Sequence, residues 1–201
     1  MIRIVLADDE DLIRGALAAL LNLESDIEVV AQADDGVAAV RLAQEHRPDL
    51  AVFDLEMPGW DGLAAAHQLR TAELGIPVVL VTRHARPGVL KRALTEGVRG
   101  FVPKTTPASK LAEILRDVHA GGRYVDPEIA ASALTAANCP LTARELELLR
   151  IAQHGGTINS IAEQAHLATG TVRNYLSSAM TKLGVQTRHE AARRAWEEGW
   201  I

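Results

Sequence analysis

The chain has 201 residues, 48% of them hydrophobic, with 21 Lys and Arg against 26 Asp and Glu for a net charge of −5. The apolar content excludes a disordered chain, and no apolar run is long enough to span a bilayer. A broadly basic nucleic-acid binder is excluded too, while the length allows one large or two small domains.

The first residues are strand-like and lack the basic start and long apolar core of a signal peptide. Cys139 is the only cysteine, so no intrachain disulfide can form, and a reducing cytoplasm is the expected compartment. The charge is unevenly spread. Residues 139–201 carry seven Lys/Arg against six Asp/Glu, and residues 1–138 carry 14 against 20. The acidic part suits a metal site. The near-neutral part can bind DNA only through local placement of charge.

In chain order, strands are predicted at 2–7, 27–33, 49–55, 77–82 and 100–104, with helices between them at 10–23, 36–46, 61–73, 86–96 and 107–120. Leu17, Leu20 and Leu21 recur at helical spacing, as do Ala39, Leu42 and Ala43. Alternation of strand and helix predicts a parallel, doubly wound α/β sheet. Thr106 is the expected N-cap of the last of these helices, with Pro107 at its first position, and Gly121-Gly122 closes it. Asp126-Pro127-Glu128 opens an alanine-rich helix that runs to about Ala137. The expected domains are therefore 1–121, a helical linker at 122–138, and a second domain at 139–201.

The strand ends carry the chemistry. The run Ala51-Val52-Phe53-Asp54-Leu55-Glu56-Met57-Pro58-Gly59 is apolar until a carboxylate, and then breaks at Pro-Gly. Asp54 is thus expected at the carboxyl end of a strand, where ligands collect in open α/β sheets. The first strand ends in Asp8-Asp9-Glu10, the fourth in Thr82 and the fifth in Lys104. Clustered carboxylates repel unless a hard cation lies among them, and oxygen ligands are what Mg²⁺ prefers. A carboxylate beside Mg²⁺, faced by an ammonium and a hydroxyl, can accept a phosphoryl group.

In this order the residues resemble the receiver domain of two-component response regulators. The resemblance implies a five-stranded, flavodoxin-like sheet of order 2-1-3-4-5. It implies Asp54 as phosphoacceptor, Asp8 and Asp9 as the acidic pair for Mg²⁺, and Glu56 as donor of a backbone carbonyl to the metal. Thr82 would be the switch hydroxyl, Lys104 the phosphate-binding cation and Phe101 the switch aromatic. Two departures stand out. Arg83 occupies a position usually small, where it either hinders phosphodonor access or adds a phosphate ligand, and Thr105 stands where many receivers have proline. His84, two positions past Thr82, is either an exposed loop histidine or a residue that tunes dephosphorylation.

In the second domain, Thr142-Ala143-Arg144-Glu145 and Thr187-Arg188-His189-Glu190 have capping-box spacing. Between them lie a short helix near 158–165, a brief turn, and a longer helix bearing Thr171, Arg173, Asn174, Tyr175, Ser177 and Lys182. Four helices are expected, two of them joined by a tight turn in the manner of a major-groove reader. Arg173, Asn174 and Ser177 project from the start of the longer helix, where Arg can pair with guanine and Asn with adenine. Thr171, Tyr175 and Lys182 suit phosphate contacts. Trp196 and Trp200 suit packing.

Leu141-Thr142-x-Arg144-Glu145, Thr171-Val172-Arg173-Asn174-Tyr175, Lys182-Leu183-Gly184 and Arg188 resemble the LuxR-type helix-turn-helix. The whole chain is similar to the NarL/FixJ class of response regulators, and Arg86-Pro87-Gly88 with 171–176 resembles its desaturase-regulator branch. Here Ser160 departs from the usual glutamate, and Ala168 from the usual Ser N-cap of the recognition helix. The implied function is transcription regulation, not turnover catalysis. On this resemblance a sensor histidine kinase, membrane-bound or soluble, would phosphorylate Asp54, and the protein would then dimerise and bind double-stranded promoter DNA, with RNA polymerase a further candidate partner. Two readings from other classes compete with this one. A haloacid-dehalogenase-like phosphatase with Asp8 as nucleophile needs an Asp where Glu10 stands and an acidic pair after Lys104, where Thr105-Thr106-Pro107 follows. A phosphorylation-independent DNA-binding regulator has only Arg83 in its favour.

Overall fold

The computed structural model describes residues 1–84, 86–135 and 138–201. The chain divides into two compact units, Met1–Ala85 with Leu90–Ala131, and Arg86–Val89 with Ser132–Ile201. No helix among the described residues is long and apolar enough to cross a membrane.

Five strand–helix pairs come first: β1 (Ile2–Ala7) and α1 (Asp11–Leu21), β2 (Ile27–Ala33) and α2 (Gly36–His46), β3 (Leu50–Asp54) and α3 (Gly62–Thr71), β4 (Val78–Thr82) and α4 (Pro87–Thr95), β5 (Gly100–Pro103) and α5 (Ala108–His119). Their ends lie within a few residues of those predicted, as apolar periodicity places elements better than it places boundaries. A short β6 (Tyr124–Val125) and α6 (Pro127–Thr135) follow.

The strands form one parallel sheet of order β2-β1-β3-β4-β5-β6. The first five follow the expected order, and β6 corrects the expected count of five. Tyr124 and Val125 pair with Gly100 and Phe101, and the Tyr124 N–H donates to the Arg99 carbonyl at 2.9 Å. Two residues are too few for strand periodicity to register in the sequence. The chain can turn back to this edge because Gly121 takes φ 93°, a left-handed conformation that favours glycine.

Both sheet faces are covered. Ile4, Leu6, Leu50, Val52, Val79, Val81 and Val102 pack with Ala18 and Leu21 of α1 and with Leu111, Ile114, Leu115 and Val118 of α5. Alternate residues point to the other face, and Val5, Ala7, Ala51, Phe53, Leu80 and Phe101 are buried there. Strands buried on both faces read as continuous apolar runs, which is why they were visible in the sequence.

Local chemistry sets the helix starts. Asp35 and Asp61 each accept a hydrogen bond from a backbone N–H three residues on, Ala38 and Ala64, both at 2.7 Å. The Asp126 side chain accepts from Glu128 N–H at 3.0 Å, at the start of α6. The expected end of that helix near Ala137 lies outside the described residues. At α5 the expectation is corrected by one residue. Pro107, not Thr106, is the N-cap, it makes no side-chain cap, and its carbonyl accepts from the Leu111 N–H. Pro107 has extended ψ, so the first helical residue is Ala108.

The second unit holds α7 (Ala143–Gln153), α8 (Ile158–Gln164), α9 (Thr169–Leu183) and α10 (Arg188–Glu197). Both predicted capping boxes form, Thr142 with Glu145 and Thr187 with Glu190. Leu148, Leu149, Ile161, Val172, Leu176, Ala179, Leu183 and Ala195 make its core, with Tyr175 and Trp200 packed against it.

Candidate functional site

Parallel register brings the chemistry to one sheet edge. Ala7 lies beside Phe53, Asp54 beside Val81, and Thr82 beside Pro103. The residues that follow, Asp8, Arg83 and Lys104, therefore leave the sheet at the same carboxyl edge. Gly62 closes the loop after Asp54. Its N–H donates to the Leu55 carbonyl at 2.9 Å, and a Cβ there would lie 2.3 Å from the Asp54 carbonyl oxygen. Only glycine permits that approach.

Lys104 Nζ is the hub of the pocket. It donates to Asp54 Oδ2 at 2.8 Å and Glu10 Oε1 at 3.0 Å, and lies 2.8 Å from Asp8 Oδ2. Asp8, Asp54 and Lys104 are buried, with side-chain exposures of 4%, 5% and 8%. Burial pushes the Asp54 carboxyl above its ordinary range, against the opposing pull of Lys104. Burial also works against the Lys104 charge, but its bonds to Asp54, Asp8 and Glu10 prevail and hold the ammonium above the usual lysine range. The Glu56 backbone N–H also donates to Asp54. Asp9 is exposed, yet one carboxylate oxygen from each of Asp8, Asp9, Glu10 and Asp54 lies within 4.8 Å of the others.

Thr82 is fully buried, and its Oγ1 accepts from the His84 N–H at 3.0 Å. His84 Nδ1 lies 3.2 Å from Glu56 Oε2. Phe101 is buried in β5, two positions before Pro103, at 1% exposure. Sequence reasoning left two residues of the pocket without a role. Glu10 joins Lys104 and also pairs with Arg83. Arg14 reaches back from α1, and its Nη1 donates to the Asp8 carbonyl at 2.6 Å. Glu10 was discoverable as the next residue after the acidic pair. Arg14 lies one to two helical turns beyond Asp8, a spacing that carries no signal by itself.

The second unit presents α9. Val172, Leu176, Ala179 and Leu183 line its buried face, which leaves Arg173, Asn174 and Ser177 exposed on the opposite side. Thr171 and Tyr175 are half-buried. Lys182 is engaged elsewhere. Its Nζ donates to both oxygens of Glu145, at 2.9 and 2.8 Å. Glu145 is 2% exposed and also accepts from the Thr142 N–H and hydroxyl and the Ser178 hydroxyl. Burial alone would raise its carboxyl, but the bonds from Lys182, Ser178 and Thr142 outweigh it and hold it at about 2. Arg188 donates to the Gly156 carbonyl at the surface of the unit. Ala168 is the N-cap of α9 and supplies no side-chain bond, and Thr169 does not take over, because it already lies inside the helix. Ser160 sits in the first turn of α8, where its N–H donates to the Thr157 hydroxyl at 3.2 Å.

Residues 4–116 match the family of response regulator receiver domains, and residues 139–195 match the luxR family of bacterial regulatory proteins. Over 201 residues and the full length of both chains, the protein is 41% identical to the transcriptional regulatory protein DesR of Bacillus subtilis (strain 168). It is 39% identical, again over the full length of both, to the uncharacterized transcriptional regulatory protein YvfU of the same organism. Among solved structures it is similar to the response regulator ChrA of a heme-sensing two-component system, at 30% identity and a TM-score of 0.60, covering 100% of this chain and 98% of that one. The strand-end acidic pocket and the four-helix second unit accord with both family matches, and the chain belongs to the two-component response regulators of the NarL/FixJ class, DNA-binding transcription regulators in which a receiver domain precedes a LuxR-type domain.

Proposed function

We propose that Asp54 is the phosphoacceptor of this regulator and that phosphorylation there governs dimerisation and binding to promoter DNA. The observation that carries the reading is the position of Lys104 Nζ, 2.8 Å from Asp54 Oδ2 and 2.8 Å from Asp8 Oδ2, with both carboxylates buried at the end of parallel strands. An oxygen of Asp54 attacks the phosphorus of a phosphohistidine on a sensor kinase. The new O–P bond forms as the P–N bond breaks, and the electron pair leaves with the histidine nitrogen. Lys104 and Thr82 then hold phosphoryl oxygens, and Phe101 changes its packing.

The donor set fits Mg²⁺: carboxylate oxygens of Asp8, Asp9 and Asp54 lie within 4.8 Å of one another, all hard ligands. Asp8, Asp9, Asp54 and the Glu56 carbonyl would hold the ion. When bound, it supplies positive charge against the phosphoryl oxygens. Lys104 keeps Asp54 oriented toward the incoming phosphorus, and the buried surroundings of Asp54 limit access of bulk water.

The DNA contacts we assign are Arg173, Asn174 and Ser177 to base edges and Thr171 and Tyr175 to phosphates. Lys182 keeps a lesser part in this set, since Glu145 engages its ammonium. The protein acts in the cytoplasm, with a histidine kinase, membrane-bound or soluble, as donor. It pairs two copies on two half-sites, and RNA polymerase is the candidate partner downstream. The domain reading of 1–121, 122–138 and 139–201 serves this scheme, the last segment carrying the DNA contacts.

Intact mass after incubation with acetyl phosphate tests the assignment. Wild type should gain one phosphoryl group with Mg²⁺ and none with EDTA, and Asp54→Asn should gain none. An equal gain in Asp54→Asn overturns Asp54. DNA binding that is the same with and without the phosphoryl group would favour a phosphorylation-independent regulator.

A further inference from the structure

The sheet order gives Arg83 a path across the site. In the order β1-β3-β4, the strand bearing Asp54 lies between the strands that end at Asp8 and Thr82. A link from the end of β1 to the end of β4 spans the end of β3, the strand that ends in Asp54. Such a link exists. Glu10, three residues past β1, pairs through Oε2 with the Arg83 guanidinium, the first residue past β4. Its other oxygen, Oε1, accepts from Lys104 Nζ at 3.0 Å.

The exposures agree with a cover over a buried floor. Arg83 and Glu10 side chains are 54% and 37% exposed, while those of Asp54, Asp8 and Lys104, the last bonded to Glu10, are 8% exposed or less. We propose that the Arg83–Glu10 pair is a strap across the mouth of the acidic pocket that prolongs the life of the phosphoryl group on Asp54. The proposal rests on Asp54 being the phosphoacceptor. Arg83 and Glu10 act here as positioning residues.

Hydrolysis needs water in line with the bond that breaks. The water oxygen forms a bond to phosphorus, the bond from phosphorus to the Asp54 oxygen breaks, and its electron pair returns to the carboxylate. One water proton stays on the departing phosphate and the other passes to solvent. Asp54 is 5% exposed at the carboxyl edge of the sheet, the edge at which Glu10 and Arg83 pair, so the strap stands on an approach open to water. Excluding water from a reactive phosphoryl group is a known use of a closing element. A partly exposed ion pair is weak, so the strap opens readily and slows passage without sealing the pocket. Lys104 holds one end of Glu10 in place, which favours the closed arrangement over two freely moving side chains.

The test uses the full chain, loaded with acetyl phosphate and Mg²⁺, freed of donor, and followed by intact mass as the phosphoryl group decays. Arg83→Ala and Glu10→Gln should each speed decay by about two- to fivefold, the factor that an exposed ion pair is worth. The double variant should decay no faster than either single one, because both remove the same pair. Arg83→Lys, which keeps the ion pair, should restore slow decay. Unchanged or slower decay in Arg83→Ala overturns the strap, as does a double variant whose effect is the product of the singles. Failure of wild type to load, or equal loading of Asp54→Asn, overturns the phosphoacceptor reading itself and the strap with it.

Discussion

Lys182 Nζ lies 2.8 Å from Glu145 Oε2, so a lysine on α9 is held by a carboxylate of α7 that is 2% exposed. The same carboxylate closes the capping box of α7. One group thus ties the start of α7 to the last turns of α9, and its charge state bears on the whole second unit. With its folded pKa held at about 2, below the ordinary 4.5, Glu145 binds its proton more readily when the chain is unfolded. Its contribution to stability is fully present above about pH 4.5 and is lost as pH falls toward 2. Urea unfolding followed by tryptophan emission in a Trp60→Phe background reports on Trp196 and Trp200. Unfolding free energy should fall through that window. In Glu145→Gln the decline attributable to this group should vanish, and the protein should be less stable at pH 7.

Arg173 and Lys182 should separate in their effects on DNA. Arg173→Ala should weaken binding to a selected operator by about 1–3 kcal/mol and relax sequence preference, as loss of a base-edge contact does. Lys182→Ala should instead lower the unfolding free energy, because it leaves Glu145 buried without its cation. Binding to operator and to random duplex, measured beside urea unfolding, distinguishes the two. Equal losses of Arg173→Ala on both duplexes would make it a phosphate contact.

Ala168 leaves the N-terminus of α9 without a side-chain cap, though its φ of −68° and ψ of 142° suit a capping residue. Ala168→Ser should therefore stabilise the second unit by about 1 kcal/mol. A higher urea midpoint at unchanged slope is the expected result.

Thr82 is fully buried and its Oγ1 accepts from the His84 N–H, so any shift of this hydroxyl toward a phosphoryl oxygen releases a backbone donor in the following loop. Thr82→Ala should accept phosphate yet couple it poorly to assembly. In sedimentation at matched concentration, phosphorylated wild type should run as a dimer, unphosphorylated wild type mostly as a monomer, and phosphorylated Thr82→Ala between them. Identical dimer fractions with and without phosphate would mean that activation does not work through dimerisation.

The strand-end residues Asp8, Asp54, Thr82 and Lys104 were legible in the sequence because each follows an apolar run of strand length, and a parallel sheet necessarily aligns such ends on one edge. The capping boxes at Thr142 and Thr187 were legible for a similar reason: three-residue spacing is the entire interaction. Links between distant positions were not. Glu10 meets Arg83 across 73 residues and Glu145 meets Lys182 across 37, and no local periodicity encodes either pair. Spacing placed Arg173 and Asn174 on an outward face, but it did not tell that Lys182 meets a buried carboxylate. That follows from how α7 and α9 pack around Leu148, Leu149 and Leu176, since rotation of a helix about its axis is set by what it buries. The sequence thus determined which groups gather at the sheet edge and where helices begin. The tertiary structure decided which charges neutralise each other and which remain exposed, because ion pairs depend on distance in space and not on distance along the chain.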